Sequence, residues 1–151
     1  MTKNSLLKIE NVSSGYGSTV IVNNLSFDVD QGQILSITGS NGMGKTTLMK
    51  TIMGLIDARE GKVIFKNEDI TNSSPDYRSK SGIGYVPQGR EIFSALTVEQ
   101  NIMLPIYTRK KLSFNSQNKL EEIYALFPIL REKRLANGSS LSGGQQQQLA
   151  I

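Results

Sequence analysis

The first half of the chain alternates short apolar stretches with glycine-rich turns, a pattern typical of β-strands. Residues 6–12 and 24–30 alternate apolar and polar side chains, so Leu25, Phe27 and Val29 are predicted to share one face of the second stretch. A glycine-punctuated loop is predicted between these strands, at residues 13–19. Three more strands are predicted at ILSIT (34–38), GKVIF (61–65) and GIGYVPQ (82–88), the first and last of the buried type.

The second half of the chain changes to helical spacing. Thr97, with Gln100 three residues later, forms a capping-box pattern that predicts a helix through Leu104, which Pro105 ends. A second amphipathic helix is predicted before Pro128 from four apolar side chains at helical spacing: Leu120, Ile123, Tyr124 and Phe127.

Composition narrows the class of protein. The 151 residues suit one domain with its own core, and they include neither cysteine nor histidine. A Ser-His-Asp hydrolase, a His-ligated zinc enzyme and a disulfide framework are therefore excluded. No apolar run is long enough for a signal peptide or a membrane span, so we expect a cytosolic chain unless a partner carries it elsewhere.

The net charge of +4 is concentrated in residues 105–135, which hold seven Lys or Arg against three Asp or Glu. The densest spot is Arg109-Lys110-Lys111. A solvated face and a face toward anionic lipid or a partner protein are both open interpretations. Nucleic acid is not an expected partner, because the patch lacks interleaved aromatic residues and its excess charge is small.

One stretch of eight residues matches the phosphate-loop pattern G-x-x-x-x-G-K-[ST] without a mismatch. Its residues are Gly39, Ser40, Asn41, Gly42, Met43, Gly44, Lys45 and Thr46. Glycines allow successive backbone amides to point at phosphate oxygens, and a helix that begins near Lys45 adds the positive end of its dipole. That helix is predicted from apolar residues at i, i+4 and i+7, namely Leu48, Ile52 and Leu55.

The expected ligands of this loop are the phosphates of a nucleotide, together with Mg²⁺. Lys45 would reach the β and γ phosphates as a point charge, and Thr46 would offer its hydroxyl to Mg²⁺. Thr47 would support the α phosphate.

Further motifs, in order along the chain, resemble those of the ATP-binding subunits of ABC transporters. Tyr16 in SGYG looks like the aromatic residue that stacks on adenine, and LSGGQ at residues 141–145 looks like the family signature. Gln88 in YVPQ looks like the Q-loop glutamine, a catalytic residue that contacts Mg²⁺ and the attacking water and couples them to the membrane subunits. The resemblance implies an α/β P-loop NTPase fold of ABC type, with an antiparallel β part, a partial parallel core sheet and a helical subdomain.

The resemblance also implies a division of the chain and a set of partners. Residues 1–151 would form one partial ATP-binding domain, with a nucleotide-binding core at 1–88 and a helical subdomain at 89–151. Two subunits would pair head to tail, and each signature would cover the γ phosphate held by the other. Permease subunits would hold the dimer at the inner face of the cell membrane, with a solute-binding protein as an indirect partner. The signature residues with this role are Ser142, as a helix N-cap, Gly143 and Gly144, with bare amides, and Gln145.

The run PQGREIF (87–93) is most similar to bacterial importers of branched-chain amino acids, urea and related amides. Family members continue past the signature with an apolar strand ending in Asp-Glu and with a switch histidine, and this sequence contains neither. We therefore expect a chain cut short after the signature, in which segment 34–38 lacks its pairing strands; a natural short binding module is the alternative. An importer ATPase subunit and a non-catalytic nucleotide-binding fragment that pairs with a complete subunit both stay open. We expect no ATP turnover by the chain as given, because the water-orienting carboxylate and the switch histidine are missing from it.

Overall fold

The computed structural model describes residues 5–108 and 116–151, and the chain divides into two compact units, Met1–Tyr85 and Val86–Ile151. The basic spot at residues 109–111 lies outside the described residues. Among the helices that are described, none is long and apolar enough to cross a bilayer.

The first unit is built on a four-stranded sheet with the strand order β2-β1-β3-β4. All neighbouring strands are antiparallel. The alternation predicted for the second strand is confirmed, because Leu25 and Phe27 pack against the core whereas Ser26 and Asp28 are exposed. The strands are β1 (Ser5–Tyr16), β2 (Thr19–Asp30), β3 (Ala58–Phe65) and β4 (Glu68–Asp69).

The connection between β1 and β2 is shorter than the predicted loop at 13–19. Both strands continue to Tyr16 and Thr19, which pair across a two-residue turn. Gly17 takes the first turn position with a φ of 51°, a left-handed backbone that matches the twist of a hairpin. The other glycine of the stretch, Gly15, lies inside β1, where any side chain would collide with the carbonyl oxygen of Thr19.

Two predicted strands, at 34–38 and 82–88, are not formed. The side chain of Ile34 is 96% exposed. A strand of the buried type exists only where neighbouring strands supply hydrogen bonds, and none of the described strands pairs with either segment.

Helix α1 (Lys45–Met53) follows the phosphate loop and packs against the sheet, with Leu48 and Ile52 buried as predicted. The helix ends earlier than its apolar spacing indicated. Gly54 adopts a left-handed φ of 76° and its amide donates to backbone carbonyls of the last turn. Leu55 therefore lies beyond the helix and is exposed.

Helix α2 (Pro75–Ser81) begins where the Ser74 side chain accepts from the Tyr77 amide and Pro75 takes the first helical position. Its Arg78 is buried, and the guanidinium donates to the carbonyl oxygens of Thr51 at 2.9 Å and Ile52 at 2.8 Å. Burial lowers the pKa of Arg78. These bonds add side-chain donors at the end of α1, where the last carbonyls have no amide donor four residues ahead in the helix.

The second unit is helical. The capping box predicted at its first helix is confirmed: the Gln100 amide donates to the Thr97 hydroxyl at 3.2 Å, and the Thr97 amide donates to the Gln100 side chain at 2.9 Å. Pro105 does not end this helix, because a proline removes one backbone donor without preventing helical conformation in the residues that follow. The helices are α3 (Val98–Thr108), α4 (Ser116–Leu126), α5 (Pro128–Glu132) and α6 (Gly143–Ala150), with a 3₁₀ turn at Gly138–Ser140.

The core of the second unit is formed by Val98, Tyr124, Leu130 and Leu141. The Tyr124 hydroxyl donates to the Glu99 carboxylate at 3.0 Å. Burial, together with this carboxylate, raises the pKa of Tyr124 to about 12. Leu141, the first residue of LSGGQ, is thus an anchor that fixes the segment before α6.

Candidate functional site

The phosphate loop lies between segment 34–38 and α1, and its lysine is folded back over it. The Lys45 ammonium donates to the carbonyl oxygens of Gly39 at 2.8 Å and Ser40 at 2.7 Å. Two of its three N–H donors are used in these bonds. The positive charge is therefore held beside the loop backbone, where an anion bound in the loop would meet it.

Three glycines give the loop its path. Gly39, Gly42 and Gly44 have φ values of 150°, 84° and 88°, a region that favours glycine. Gly44 also has a packing role, because a Cβ there would lie 2.9 Å from the Ile21 side chain of β2. A larger residue would push the start of α1 away from the sheet.

The start of α1 offers bare amides. Its N-cap is Gly44, which makes no side-chain cap. The first hydrogen bond inside the helix runs from the Leu48 amide to the Gly44 carbonyl at 2.8 Å, so the amides of residues 45–47 have no intrahelical partner. Thr46 is exposed in this first turn, whereas the Thr47 side chain is only 6% exposed. The Thr47 amide is therefore better placed than its hydroxyl to meet a phosphate.

Tyr16 is the last residue of β1, and its side chain is 50% exposed at the end of the β1–β2 hairpin. An exposed aromatic ring on a strand end has a free face for stacking.

Gln88 lies in a turn of the second unit and is exposed. The turn is closed by a hydrogen bond from the Arg90 amide to the Pro87 carbonyl at 3.2 Å. Gly89, Arg90 and Glu91 follow with left-handed φ values of 96°, 71° and 50°. The backbone therefore turns sharply directly after Gln88.

The signature residues come together at the start of α6, and the predicted N-cap is confirmed. Ser142 and Gln145 form a reciprocal capping box, with the Gln145 amide donating to the Ser142 hydroxyl at 3.4 Å and the Ser142 amide donating to the Gln145 side chain at 3.0 Å. The amides of Gly143 and Gly144 stay outside this box, at the positive end of the helix.

Sequence reasoning missed Arg90 as a neighbour of the signature. Its guanidinium lies against Gly143, where a Cβ would be 3.3 Å from Nη2, and Nη1 donates to the Gln146 side chain at 3.1 Å. Gly143 thus has a second reason to lack a side chain. No local pattern indicates this contact, because the two residues are far apart in the sequence.

The donor set fits a nucleotide phosphate with Mg²⁺. A lysine ammonium and bare amides at a helix start form an anion site, and the exposed Thr46 hydroxyl is a hard oxygen donor. Mg²⁺ commonly takes one or two protein ligands and completes its shell with water and substrate phosphates. Within residues 5–108 and 116–151, no group of three or more acidic side chains forms a separate metal site.

The family model described as ABC transporter matches residues 22–151. The chain is 33% identical over 146 residues to a high-affinity branched-chain amino acid transport ATP-binding protein, BraG, of Pseudomonas aeruginosa. It is 34% identical over 146 residues to a probable branched-chain amino acid transport ATP-binding protein, LivF, of Archaeoglobus fulgidus. It is 35% identical over 150 residues to a lipopolysaccharide export system ATP-binding protein, LptB, of Haemophilus influenzae. The alignments cover 97% of this chain and 61–62% of those proteins.

Solved structures agree with this match. A nucleotide-free ATP-binding cassette from an ABC transporter is 27% identical with a TM-score of 0.78, covering 97% of this chain and 63% of that one. A dimeric cassette in a post-hydrolysis state, bound to ADP and Pi, is 27% identical with a TM-score of 0.80, covering 95% of this chain and 66% of that one. The predicted fold class is confirmed by these likenesses. The partial parallel sheet predicted with it is not formed, since all paired strands among the described residues are antiparallel.

Proposed function

This chain belongs to the ABC transporter family, and on that premise we propose that it acts as the ATP-binding subunit of a bacterial importer for branched-chain amino acids, urea or related amides. The observation that carries the proposal is the Lys45 ammonium, held against the carbonyl oxygens of Gly39 and Ser40 beside the bare first turn of α1.

Each part of the loop has a separate task in this proposal. Lys45 binds the β and γ phosphates, and the amides of the first turn of α1 bind phosphate oxygens along the helix axis. Tyr16 stacks on the adenine ring. Mg²⁺, when bound, would supply positive charge that offsets the charge of the phosphates. We assign the Thr46 hydroxyl as one of its ligands, and Gln88 stays the second predicted ligand through its resemblance to the Q-loop glutamine.

The signature is proposed to act in trans. Ser142, Gly143, Gly144 and Gln145 would cap the γ phosphate held by a second ATP-binding subunit, through the bare amides at the start of α6. The cassette that shares this fold with ADP and Pi bound is dimeric. We propose that this chain also pairs head to tail and reaches the inner face of the cell membrane through permease subunits, with a solute-binding protein as an indirect partner.

The transported compound is a finer proposal. It is supported by the PQGREIF run and by the names of two relatives, which are transport proteins for branched-chain amino acids. A relative of similar identity is named for lipopolysaccharide export. We therefore infer that the membrane partners determine the transported compound more than the ATP-binding chain does.

A second candidate is a chain that binds nucleotide without turning it over and completes the site of another ATP-binding subunit, to which α6 would contribute its signature amides. The two candidates separate in a phosphate-release assay on this chain, alone and mixed with a complete homologous subunit. Release by the chain alone supports the first candidate. No release by the chain alone, with release by the mixture above that of the complete subunit alone, supports the second.

The first test is nucleotide affinity. Lys45→Ala should weaken the binding of a fluorescent ATP analogue with Mg²⁺ by about 1.5–3 kcal/mol, the usual loss for a charge-assisted contact. Lys80→Ala is the matched control, because Lys80 lies on the exposed side of α2 in an ion pair with Asp76. Equal affinity of the Lys45→Ala variant and the parent would contradict the proposal.

A further inference from the structure

The end of the β1–β2 hairpin extends beyond the support of the sheet. The ladder between β1 and β3 ends at the pair Ser14 and Ala58. Past this point β1 pairs only with β2, through Gly15 with Val20 and Tyr16 with Thr19. A two-stranded hairpin is marginally stable in water by itself. Some other contact must therefore hold the turn and the tyrosine beside it.

Arg59, the neighbour of Ala58 in β3, supplies that contact. Its Nη2 donates to the carbonyl oxygens of Gly17 at 2.6 Å and Thr19 at 3.2 Å. Its Nη1 lies 3.4 Å from the carbonyl oxygen of Ser18. One guanidinium thus binds three consecutive carbonyls of the turn. The planar fork of arginine has the geometry for this, and the single ammonium of lysine does not.

We propose that Arg59 is a positioning residue for Tyr16: it fixes the hairpin end so that the exposed tyrosine ring presents its face to the nucleobase of a bound nucleotide. The inference rests on the proposed ATP-binding function. Arg59 acts through the turn backbone and not on the phosphates, because its donors are directed to Gly17, Ser18 and Thr19. It should therefore affect the base-dependent part of affinity alone.

The experiment compares two ligands on the full chain with Mg²⁺: ATP, and inorganic tripolyphosphate, which lacks a base. Arg59→Ala should weaken ATP binding about threefold to tenfold, a part of the typical value of stacking one base on an aromatic side chain. Binding of tripolyphosphate should not change. Lys62→Ala is the matched control, since it removes another exposed cation from the same strand.

Two further variants make the test selective. Arg59→Lys keeps the charge and loses the fork, so it should show most of the same loss for ATP. Adding Arg59→Ala to Tyr16→Ala should cause no further loss, because the arginine has nothing left to position.

Three results would overturn the inference: unchanged ATP affinity, an equal loss for ATP and tripolyphosphate, or additive effects of Arg59→Ala and Tyr16→Ala. Circular dichroism checks folding, and if Arg59→Ala does not fold, the ratio of the two affinities in Arg59→Lys decides. Failure of the proposed function gives a different result, in which the parent chain binds neither ligand or Lys45→Ala binds both as well as the parent does.

Discussion

At the residue scale, backbone amides provide most of the groups that the proposed function assigns to phosphate. Because a side-chain substitution does not remove an amide, only a few residues can be tested by single substitutions. Lys45 is one of them, with its ammonium held by the loop carbonyls. Tyr16 is another, because it is half exposed at a strand end and its assigned partner is a base. The two residues report on different parts of one ligand.

Replacing Tyr16 separates the ring from its hydroxyl. Tyr16→Ala should weaken ATP binding by about 1–3 kcal/mol, the typical value for base stacking on an aromatic side chain. Tyr16→Phe should bind nearly as well as the parent, since the ring face makes the contact. The measurement is a titration with the fluorescent ATP analogue, and unchanged affinity in both variants would leave Tyr16 as a turn residue only.

At the element scale, the two helices that carry the proposed phosphate contacts begin in different ways. Helix α1 has the glycine Gly44 as N-cap, without a side-chain bond, so its first amides are all left for a ligand. Helix α6 has a serine cap and a glutamine that returns to the cap residue. The first helix is held by packing against the sheet, and the second is held by its own capping box.

Removing the cap should therefore loosen α6. Ser142→Ala is expected to destabilise this helix by about 1 kcal/mol, within the range of 0.5–2 kcal/mol typical of lost N-caps. Amide hydrogen exchange should show faster exchange in residues 143–150, while α1 exchanges as in the parent. Ser139→Ala is the control, as it changes an exposed serine just outside the helix. Unchanged exchange in α6 would mean that tertiary contacts, and not the cap, hold its start.

At the scale of the whole molecule, the two units have separate cores. The first is centred on Ile9, Val12 and Val63 of the sheet together with α1. The second includes Leu130 and Leu141 of the helical unit. A cavity in one core should therefore first lower the stability of the unit that contains it.

Leu130→Ala tests this separation. Leu130 is 1% exposed, and a leucine-to-alanine change at such a site costs about 2–5 kcal/mol. Hydrogen exchange should accelerate in α3, α5 and α6, and the amides of α1 should stay protected. Val63→Ala is the reciprocal variant, because Val63 is 0% exposed in the first core. Equal acceleration in both units after either change would show that the chain unfolds as one cooperative body.

The sequence by itself was enough to predict the features that neighbouring residues form. The phosphate loop, the start of α1 near Lys45, the capping box at Thr97 and the N-cap at Ser142 all follow from residues within a few positions of each other. Left-handed glycines, N-caps and bare helix amides are properties of neighbouring residues, so a short pattern is enough to specify them.

Only the tertiary structure decided the features that depend on distant partners. The apolar runs at 34–38 and 82–88 have strand composition, yet neither is a strand. A strand needs hydrogen bonds from a neighbouring strand, and the sequence of the run itself does not show whether such a partner is present. The same reason hid the contact of Arg59 with the carbonyls of the β1–β2 turn. It also hid Arg90 against Gly143. Each joins residues far apart in the chain, which only folding brings together.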